Sequence, residues 1–187
     1  MPYQAPIRDL AFALRELAGI GRLKGLDAFA EFDLDLVEPV LEGAAALTQN
    51  VLAPLNATGD REGVRLENGR VRPAAGFSDA YKAFADGGWN GLSAALEHGG
   101  QGLPKALELA VFECIHAANM SFGLCPLLTQ GAIEALAEHG SADLKAAYLP
   151  KLVSGTWTGT MNLTEPQAGS DLSLVRVPIG GKLQWID

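Results

Sequence analysis

Hydrophobic residues recur at helical spacing through most of the chain. The first repeat covers residues 7–17 and predicts a helix that ends before Gly19. The second repeat covers residues 36–51 and predicts another helix. Pro39 is expected in its first turn and Pro54 at its end, because proline has no amide hydrogen to donate.

Four further helices follow from the same periodicity and from residues that favour helix boundaries. They are expected at 78–86, 104–118, 129–139 and 141–149. Ser78 and Ser141 are placed as N-caps, since a serine hydroxyl accepts from the free amides of the first turn. Pro104 opens the helix 104–118 at a position where its missing donor costs nothing. Because this helix is apolar along nearly one whole side, we expect it at the centre of the core.

Two regions lack helical periodicity. Residues 56–73 are rich in Gly, Asn, Asp and Arg and predict a surface loop with a tight turn at Asn68-Gly69. After Gly155 the stretch 157–164 is rich in β-forming residues and predicts a strand. A hairpin is expected from 174–177, a turn at Gly180-Gly181, and 183–186.

These elements predict a mainly α chain with two parts. Residues 1–155 are expected to form an N-terminal α-helical domain, and residues 156–187 the first strands of a β-domain. Since a lone hairpin is only marginally stable in water, the β-part needs support from the helices or from further sequence.

Composition narrows the classes of protein that this chain can be. Hydrophobic residues make up 48% of the chain and charged residues 19%, which favours a buried core over disorder. The formal net charge of −8 disfavours nucleic-acid binding, which needs clustered basic residues. No stretch approaches the ~18 apolar residues of a membrane span, and no secretory signal pattern is visible. We expect a cytoplasmic protein whose two cysteines are buried hydrophobic residues.

The residue types that commonly carry catalysis form no pattern of their own. His98, His116 and His139 are widely separated and none lies at metal-ligand spacing from another, so no metal site is expected. Isolated residues support no Ser-His-Asp arrangement. No Walker motif is present, and the glycines at 99, 100 and 102 do not follow a predicted strand as those of a dinucleotide-binding motif do.

The segment 163–171 is the most informative part of the chain for function. Thr164 offers a hydroxyl where the predicted strand ends, and Pro166 blocks further strand pairing. Gly169 permits close approach of the backbone to a ligand, and Ser170 adds a short polar side chain. From the residues alone, the segment is either a well-made turn or a loop that presents amides and hydroxyls to a flat heterocycle or a pyrophosphate.

Residues 164–171 resemble the flavin-loop signature of the acyl-CoA dehydrogenases. Further motifs match this family in order and spacing, at 87–89, 99–104, 128–131, 148–152, 155 and 157. Residues 1–6 and 50–63 resemble one branch of it, the larger enzymes of the 3-methylmercaptopropionyl-CoA dehydrogenase type. The resemblance therefore implies the N-terminal helical domain of the acyl-CoA dehydrogenase fold, followed by the first strands of its middle β-domain.

The resemblance also implies a cofactor, FAD, and a substrate, an acyl-CoA. The backbone of Met161 and Leu163, and the backbone and hydroxyl of Thr164, would hydrogen-bond the flavin ring. Such contacts stabilise negative charge on the reduced ring. Ser170 would lie near the pyrophosphate and the pantetheine arm of the substrate. The acyl-chain pocket would be bordered by Phe122, Leu127 and Thr129.

No catalytic residue is assigned in this chain. The catalytic base of the family comes from a C-terminal helical domain that the chain lacks, so Glu165 is not taken as the base. The expected function is that of the N-terminal part of an FAD-dependent acyl-CoA dehydrogenase, which oxidises an acyl-CoA thioester to the 2,3-enoyl-CoA. We expect the isolated chain to be inactive. An electron-transfer flavoprotein as electron acceptor and a homo-oligomeric state are implied for the full enzyme.

Two alternatives stay open at the level of the sequence. An acyl-CoA oxidase would use the same scaffold, because the residues that govern oxygen reactivity lie outside this chain. A non-catalytic helical interaction module would keep the fold without the chemistry and would show a large apolar docking surface.

Overall fold

The computed structural model describes residues 2–179 and 182–185, with the side chains of residues 2–175. The α-helices are α1 Ile7–Phe12, α2 Val37–Leu47, α3 Ala53–Glu62, α4 Phe77–Asp86, α5 Lys105–Ala118, α6 Met120–His139 and α7 Ala142–Val153. Short 3-10 helices lie at Ile20–Gly25, Asp27–Phe29, Leu34–Leu36, Trp89–Gly91, Leu96–His98 and Leu172–Leu174. The strands are β1 Arg65–Glu67, β2 Arg70–Arg72, β3 Arg176–Ile179 and β4 Lys182–Trp185. The mainly helical fold class is confirmed.

The first two predicted helices form, but the second continues beyond its predicted end. Helix α1 extends through a π-helical turn at Ala13–Leu17, so the prediction for 7–17 is confirmed. Pro39 lies in the first turn of α2, as expected. Pro54 does not end the helix: a π-helical turn at Thr48–Leu52 changes the hydrogen-bond register, and Pro54 falls at the start of α3.

The predicted surface loop at 56–73 is therefore wrong in its first half, which is helical. Only the second half leaves the helices, after α3 ends at Glu62. There β1 and β2 pair antiparallel, with Leu66 opposite Val71. The predicted tight turn between them is confirmed, since Asn68 and Gly69 both adopt positive φ, 53° and 74°.

Helix α6 begins well before the predicted position 129, because Asn119 caps it. The Asn119 Oδ1 accepts from the backbone N–H of Phe122 at 3.1 Å, and its Nδ2 donates to the carbonyl of Leu52 at 3.1 Å. Pro126 lies inside the helix. The cap of α7 is confirmed, since Ser141 Oγ accepts from an amide of the first turn. The cap of α4 is wrong: Gly76 is the N-cap, and Ser78 lies within the helix.

The main hydrophobic core lies where α1, α2, α4, α5 and α6 meet. Helix α5 supplies a large share of it, as predicted, including Val111 and Ile115, which are fully buried. Phe84 of α4 has no exposed surface. Its ring stands nearly edge-on to Phe112 at 6.5 Å and to Phe122 at 5.8 Å between centroids. A smaller cluster joins α6 to α7 through Ile133 and its neighbours. No described helix is long and apolar enough to cross a membrane.

The region after α7 contains less regular structure than predicted. In the part of the chain that the structure describes, residues 157–164 form no strand, because they have no ladder partner there. The hairpin forms as β3 paired antiparallel with β4. Its expected turn at Gly180-Gly181 lies outside the described residues. The division into two domains near residue 155 stays a prediction.

Candidate functional site

Helices α4 and α6 face each other across an open cavity of about 340 Å³. Phe77, Ser78 and Tyr81 of α4 lie at positions i, i+1 and i+4, and α6 contributes residues at the same spacing. Positions i and i+4 share one helix face, so both helices present one polar–aromatic face to the cavity. The cavity is lined by Pro73, Phe77, Ser78, Tyr81, Ser121, Phe122 and Cys125.

The structure separates the three residues that were predicted to border an acyl-chain pocket. Phe122 lines the cavity and is buried. Leu127 is 43% exposed and is not among the residues that line this cavity. Thr129 is fully buried, and its hydroxyl donates to the carbonyl of Cys125 at 3.0 Å and accepts from the N–H of Gly159 at 3.1 Å. Thr129 therefore links α6 to the chain that follows α7.

Residues 155–159, which we call the joint, are attached to the helices by backbone and side-chain hydrogen bonds. Tyr81 Oη donates to the carbonyl of Gly155 at 2.9 Å. The N–H of Trp157 donates to the carbonyl of Lys151 at 3.0 Å, and the Lys151 Nζ lies 4.0 Å from the centroid of the Trp157 ring. With the bond from Gly159 to Thr129, the joint is held along its length.

Both ends of the joint need glycine. Gly155 has a φ of 73°, a backbone conformation that side chains rarely adopt. A Cβ on Gly159 would lie 2.6 Å from the Cβ of Ala132, because the chain crosses directly over α6. The sequence shows glycines at both positions, but only the structure shows that Gly155 is needed for its positive φ and its close approach to Ala85, and Gly159 for its close approach to Ala132.

The predicted flavin-contacting residues follow the joint in an exposed stretch without regular secondary structure. Residues 160–164, which we call the open segment, include Met161 at 64% and Leu163 at 44% exposure, and Thr164 is exposed as well. Within the described part of the chain, the backbone N–H and C=O groups of 161–164 have no hydrogen-bond partner. Exposed backbone groups without partners can hydrogen-bond the edge of a flat heterocycle, so the open segment is compatible with the expected FAD contacts.

The open segment leads into a tight turn that carries Ser170. Glu165 and Ala168 exchange two backbone hydrogen bonds of 3.0 Å, and Ala168 is buried. Asp171 Oδ1 accepts from the Ser173 hydroxyl at 2.6 Å and from the Ser173 N–H at 3.0 Å. The hydroxyl bond first, and then the N–H bond, lower the pKa of the Asp171 carboxyl below its ordinary value. Ser170 is exposed between these two structured points.

Sequence reasoning missed Tyr81 and Cys125, which both line the cavity. Their spacing from Phe77 and Ser121 was readable, but nothing in the sequence pairs α4 with α6. Cys114 is buried as expected, but the expectation of a buried Cys125 is wrong: this residue is exposed, because it lies on the face of α6 that opens onto the cavity, where its thiol is partly enclosed. Burial raises the pKa of the Tyr81 hydroxyl, with a smaller contribution from Cys125, and burial also raises the pKa of the Cys125 thiol. Both groups are therefore neutral at physiological pH. Tyr81 is a donor there, not an anion.

A second cleft in the helical part does not contain the predicted site residues. A larger cleft of about 730 Å³ lies between residues 27–36 and 93–103, and no predicted site residue lines it. In the part of the chain described, no group of three or more His, Cys, Asp or Glu side chains is arranged to hold a metal ion.

Comparison with known proteins gives concordant results for sequence and fold. The family model "Acyl-CoA dehydrogenase, N-terminal domain" matches residues 38–156. The 3-methylmercaptopropionyl-CoA dehydrogenase of Ruegeria pomeroyi is 52% identical over 176 residues, which are 94% of this chain and 30% of the relative. The chain thus spans about a third of that relative's length.

Solved structures agree at the level of the fold. Butyryl-CoA dehydrogenase from Megasphaera elsdenii superposes with a TM-score of 0.63 at 22% identity, over 76% of this chain and 36% of the other. A chain from a structure described as the electron transferring flavoprotein of Acidaminococcus fermentans gives a TM-score of 0.64 at 22% identity, over 81% and 38%. The match of the family model over more than half of the chain shows that the chain belongs to the acyl-CoA dehydrogenase family.

Proposed function

We propose that this chain supplies one wall of the active site of an FAD-dependent acyl-CoA dehydrogenase, and that the 187-residue chain alone has no activity. The observation that carries the proposal is the 52% identity to a 3-methylmercaptopropionyl-CoA dehydrogenase across 94% of the chain. The full enzyme would oxidise an acyl-CoA thioester to the 2,3-enoyl-CoA, with its catalytic base supplied from a C-terminal helical domain. It would act in the cytoplasm as a homo-oligomer and pass electrons to an electron-transfer flavoprotein.

Members of the family are flavoproteins, generally dependent on FAD. For this chain we assign backbone contacts with the flavin ring to Met161 and Leu163, and backbone and hydroxyl contacts to Thr164. FAD held by these residues would supply the acceptor for the hydride that leaves the substrate. The free, exposed backbone of the open segment supports this assignment. Ser170 is placed near the pyrophosphate and the pantetheine arm of the substrate.

The cavity between α4 and α6 is the proposed acyl-chain pocket. Its volume of about 340 Å³ lies at the lower end for small-molecule sites, which favours a short acyl chain. The aromatic rings of Phe77, Tyr81 and Phe122 line it, and thioether sulfur packs favourably against such rings. We infer a short acyl chain with a terminal thioether, in keeping with the name of the 52% identical relative. Leu127 and Thr129 do not line the cavity, and we place them next to the residues that do.

The test begins with the visible absorption spectrum of the purified chain, with and without added FAD. We expect a bound-flavin spectrum, and we expect Thr164→Val to weaken FAD binding because it removes a hydroxyl contact. Thr158→Val is the matched control, since Thr158 is an exposed threonine of the neighbouring joint with no assigned contact. Flavin binding that is equally weakened by both variants contradicts the assignment to Thr164.

Activity is tested with butyryl-CoA, 3-methylmercaptopropionyl-CoA and an artificial electron acceptor. We expect no turnover of either thioester by the 187-residue chain, because no catalytic base is assigned in it. Flavin-dependent oxidation of a thioester by the pure chain would show that its own residues supply the base.

A second candidate function, an interaction module, is favoured by one exposed face of α6. Met120, Leu124 and Leu127 lie at i, i+4 and i+7 and are 54%, 49% and 43% exposed. An apolar stripe of this kind is typical of a surface that another protein segment covers. Gel filtration tests it: a strictly monomeric, highly soluble chain argues against a docking role for this face.

A further inference from the structure

Two of the side-chain hydrogen bonds that hold the joint come from Tyr81, which lines the cavity, and from Thr129, which lies one turn of α6 beyond the cavity residue Cys125. Tyr81 lines the cavity with its ring, and its hydroxyl donates to the carbonyl of Gly155. Cys125 also lines the cavity, and its carbonyl accepts from the Thr129 hydroxyl, which in turn accepts from the N–H of Gly159. Each end of the joint is thus one or two residues away from any ligand in the cavity.

The joint has little freedom to move independently of these contacts. Gly159 crosses α6 so closely that even a methyl group there would collide with Ala132. A Cβ added to Gly155 would lie 2.9 Å from the Cβ of Ala85 on α4, so this end of the joint is also closely packed. Since the open segment starts directly after Gly159, its placement against the helices follows from how the joint is held.

The hydroxyls of Tyr81 and Thr129 make their hydrogen bonds in partly or fully buried surroundings, where losing such a bond is destabilising. Thr129 is fully buried and Tyr81 is half-buried. Removing either hydroxyl leaves a carbonyl or an N–H of the joint without its partner, and an unmade hydrogen bond costs more than the bond itself contributes. Packing alone does not need the hydroxyls, because a phenylalanine ring would fill the same space as Tyr81.

We propose that Tyr81 and Thr129 are positioning residues that set the open segment against the helices, and that a group filling the cavity tightens this attachment through Tyr81. The link to FAD rests on the function proposed above. The attachment itself rests only on the contacts just described. An acyl chain in the cavity would thereby change how firmly the flavin-contacting residues are held against the helices.

The first experiment measures amide hydrogen exchange at Trp157 and Gly159 in the 187-residue chain. Tyr81→Phe removes no acceptor from either amide, so faster exchange at both would report loosening of the whole joint. We expect an increase of about three- to tenfold, with the amides of α5 unchanged. Tyr148→Phe is the matched control, because Tyr148 packs on Trp157 without a hydrogen bond from its hydroxyl in the described residues.

Thr129 is tested in the same way with a rescue variant. Thr129→Val keeps the shape of the side chain and removes the hydroxyl, and we expect faster exchange at Trp157, whose own acceptor is untouched. Thr129→Ser restores the hydroxyl and is expected to return the exchange rate close to the original. Equal exchange at Trp157 in the parent chain, Tyr81→Phe and Thr129→Val would overturn the proposal, because neither substitution removes the acceptor of that amide.

The second experiment fills the cavity covalently. Butyl methanethiosulfonate reacts with the Cys125 thiolate at about pH 8.5: a sulfur–sulfur bond forms, methanesulfinate leaves, and the thiol becomes an S-butyl disulfide. Cys125 is exposed, whereas Cys114 is buried. We expect slower exchange at Gly159 after modification, and no slowing in modified Tyr81→Phe. Cys125→Ser treated with the reagent is the control, and slowing that persists in Tyr81→Phe contradicts a route through Tyr81.

Flavin binding separates this proposal from the function on which it builds. If the parent chain binds FAD, Tyr81→Phe is expected to weaken binding about three- to tenfold and to alter the flavin absorption bands, while Tyr148→Phe changes neither. If the parent chain binds no FAD, the cofactor assignment for this chain is wrong. The exchange measurements at Trp157 and Gly159 still decide whether Tyr81 and Thr129 position the joint.

Discussion

The helices bury their apolar side chains, whereas the open segment leaves its apolar side chains exposed and its backbone polar groups without partners in the described residues. At the centre of the helices, Phe84 is fully buried and its ring meets three other aromatic rings. In the open segment, Met161 and Leu163 are exposed, and backbone groups have no partner among the described residues. The helices therefore account for stability, whereas the open segment has the unsatisfied groups that a ligand would use.

The joint at 155–159 is where these two regions meet. It is held by individual hydrogen bonds and by close approaches of Gly155 to α4 and of Gly159 to α6. A region held in this way responds to small local changes that the helical core would absorb. The difference teaches that the placement of the proposed cofactor contacts depends on a handful of atoms, even though the core beneath them is large.

The largest expected effect is a loss of stability in the helical core. Phe84→Ala removes a fully buried ring at the centre of the core and is expected to lower the free energy of unfolding by about 3–5 kcal/mol. Urea unfolding followed by far-UV circular dichroism measures it. Met161→Ala, at a site that is 64% exposed, is expected to change the same quantity by less than about 0.5 kcal/mol. A similar loss in both variants would mean that the open segment belongs to the core.

The next effect is smaller and confined to the joint. Gly159→Ala places a Cβ 2.6 Å from that of Ala132 and is expected to cost about 1–3 kcal/mol, as overpacking does, by lifting the joint from α6. Trp157 fluorescence and amide exchange at residue 159 measure the displacement. Gly169→Ala is the control, because a Cβ there meets no atom within 4 Å. Equal effects of the two substitutions would show that the crossing over α6 is not tight.

Sequence reasoning succeeded where the signal was local. The extent of α1, the Ser141 cap and the Asn68-Gly69 turn are each determined by residues within a few positions of one another. It failed at Pro54 and at the start of α6. There the outcome depends on a π-helical turn and on Asn119, whose side chain reaches Leu52 on another helix.

The same distinction applies to the candidate site. Phe122 was identified through the resemblance to the family, and it lines the cavity. Tyr81 was missed because its role depends on Gly155, 74 residues away along the chain. The expected strand at 157–164 was wrong because β-forming residues make a strand only when a partner strand supplies the ladder, and the described residues supply none. Long-range pairing is what the sequence pattern does not contain.

The smallest expected effect concerns the turn beyond the open segment and depends on pH. The Ser173 hydroxyl, and then its N–H, hydrogen-bond the Asp171 carboxylate and hold the pKa of that group below its ordinary value. Because the pKa in the folded chain is lower than in the unfolded chain, the bonds stabilise the turn above the unfolded pKa. That stabilisation is lost as the pH falls through the folded pKa. Carboxyl titration by NMR is expected to give Asp171 a midpoint below that of ordinary aspartates, and Ser173→Ala is expected to raise it.

Asp171 is exposed, so solvent screens the effect, and the helices are expected to unfold at the same urea concentration in Ser173→Ala. A shift of that unfolding midpoint would show that the turn and the helices are coupled, contrary to the division of roles between them.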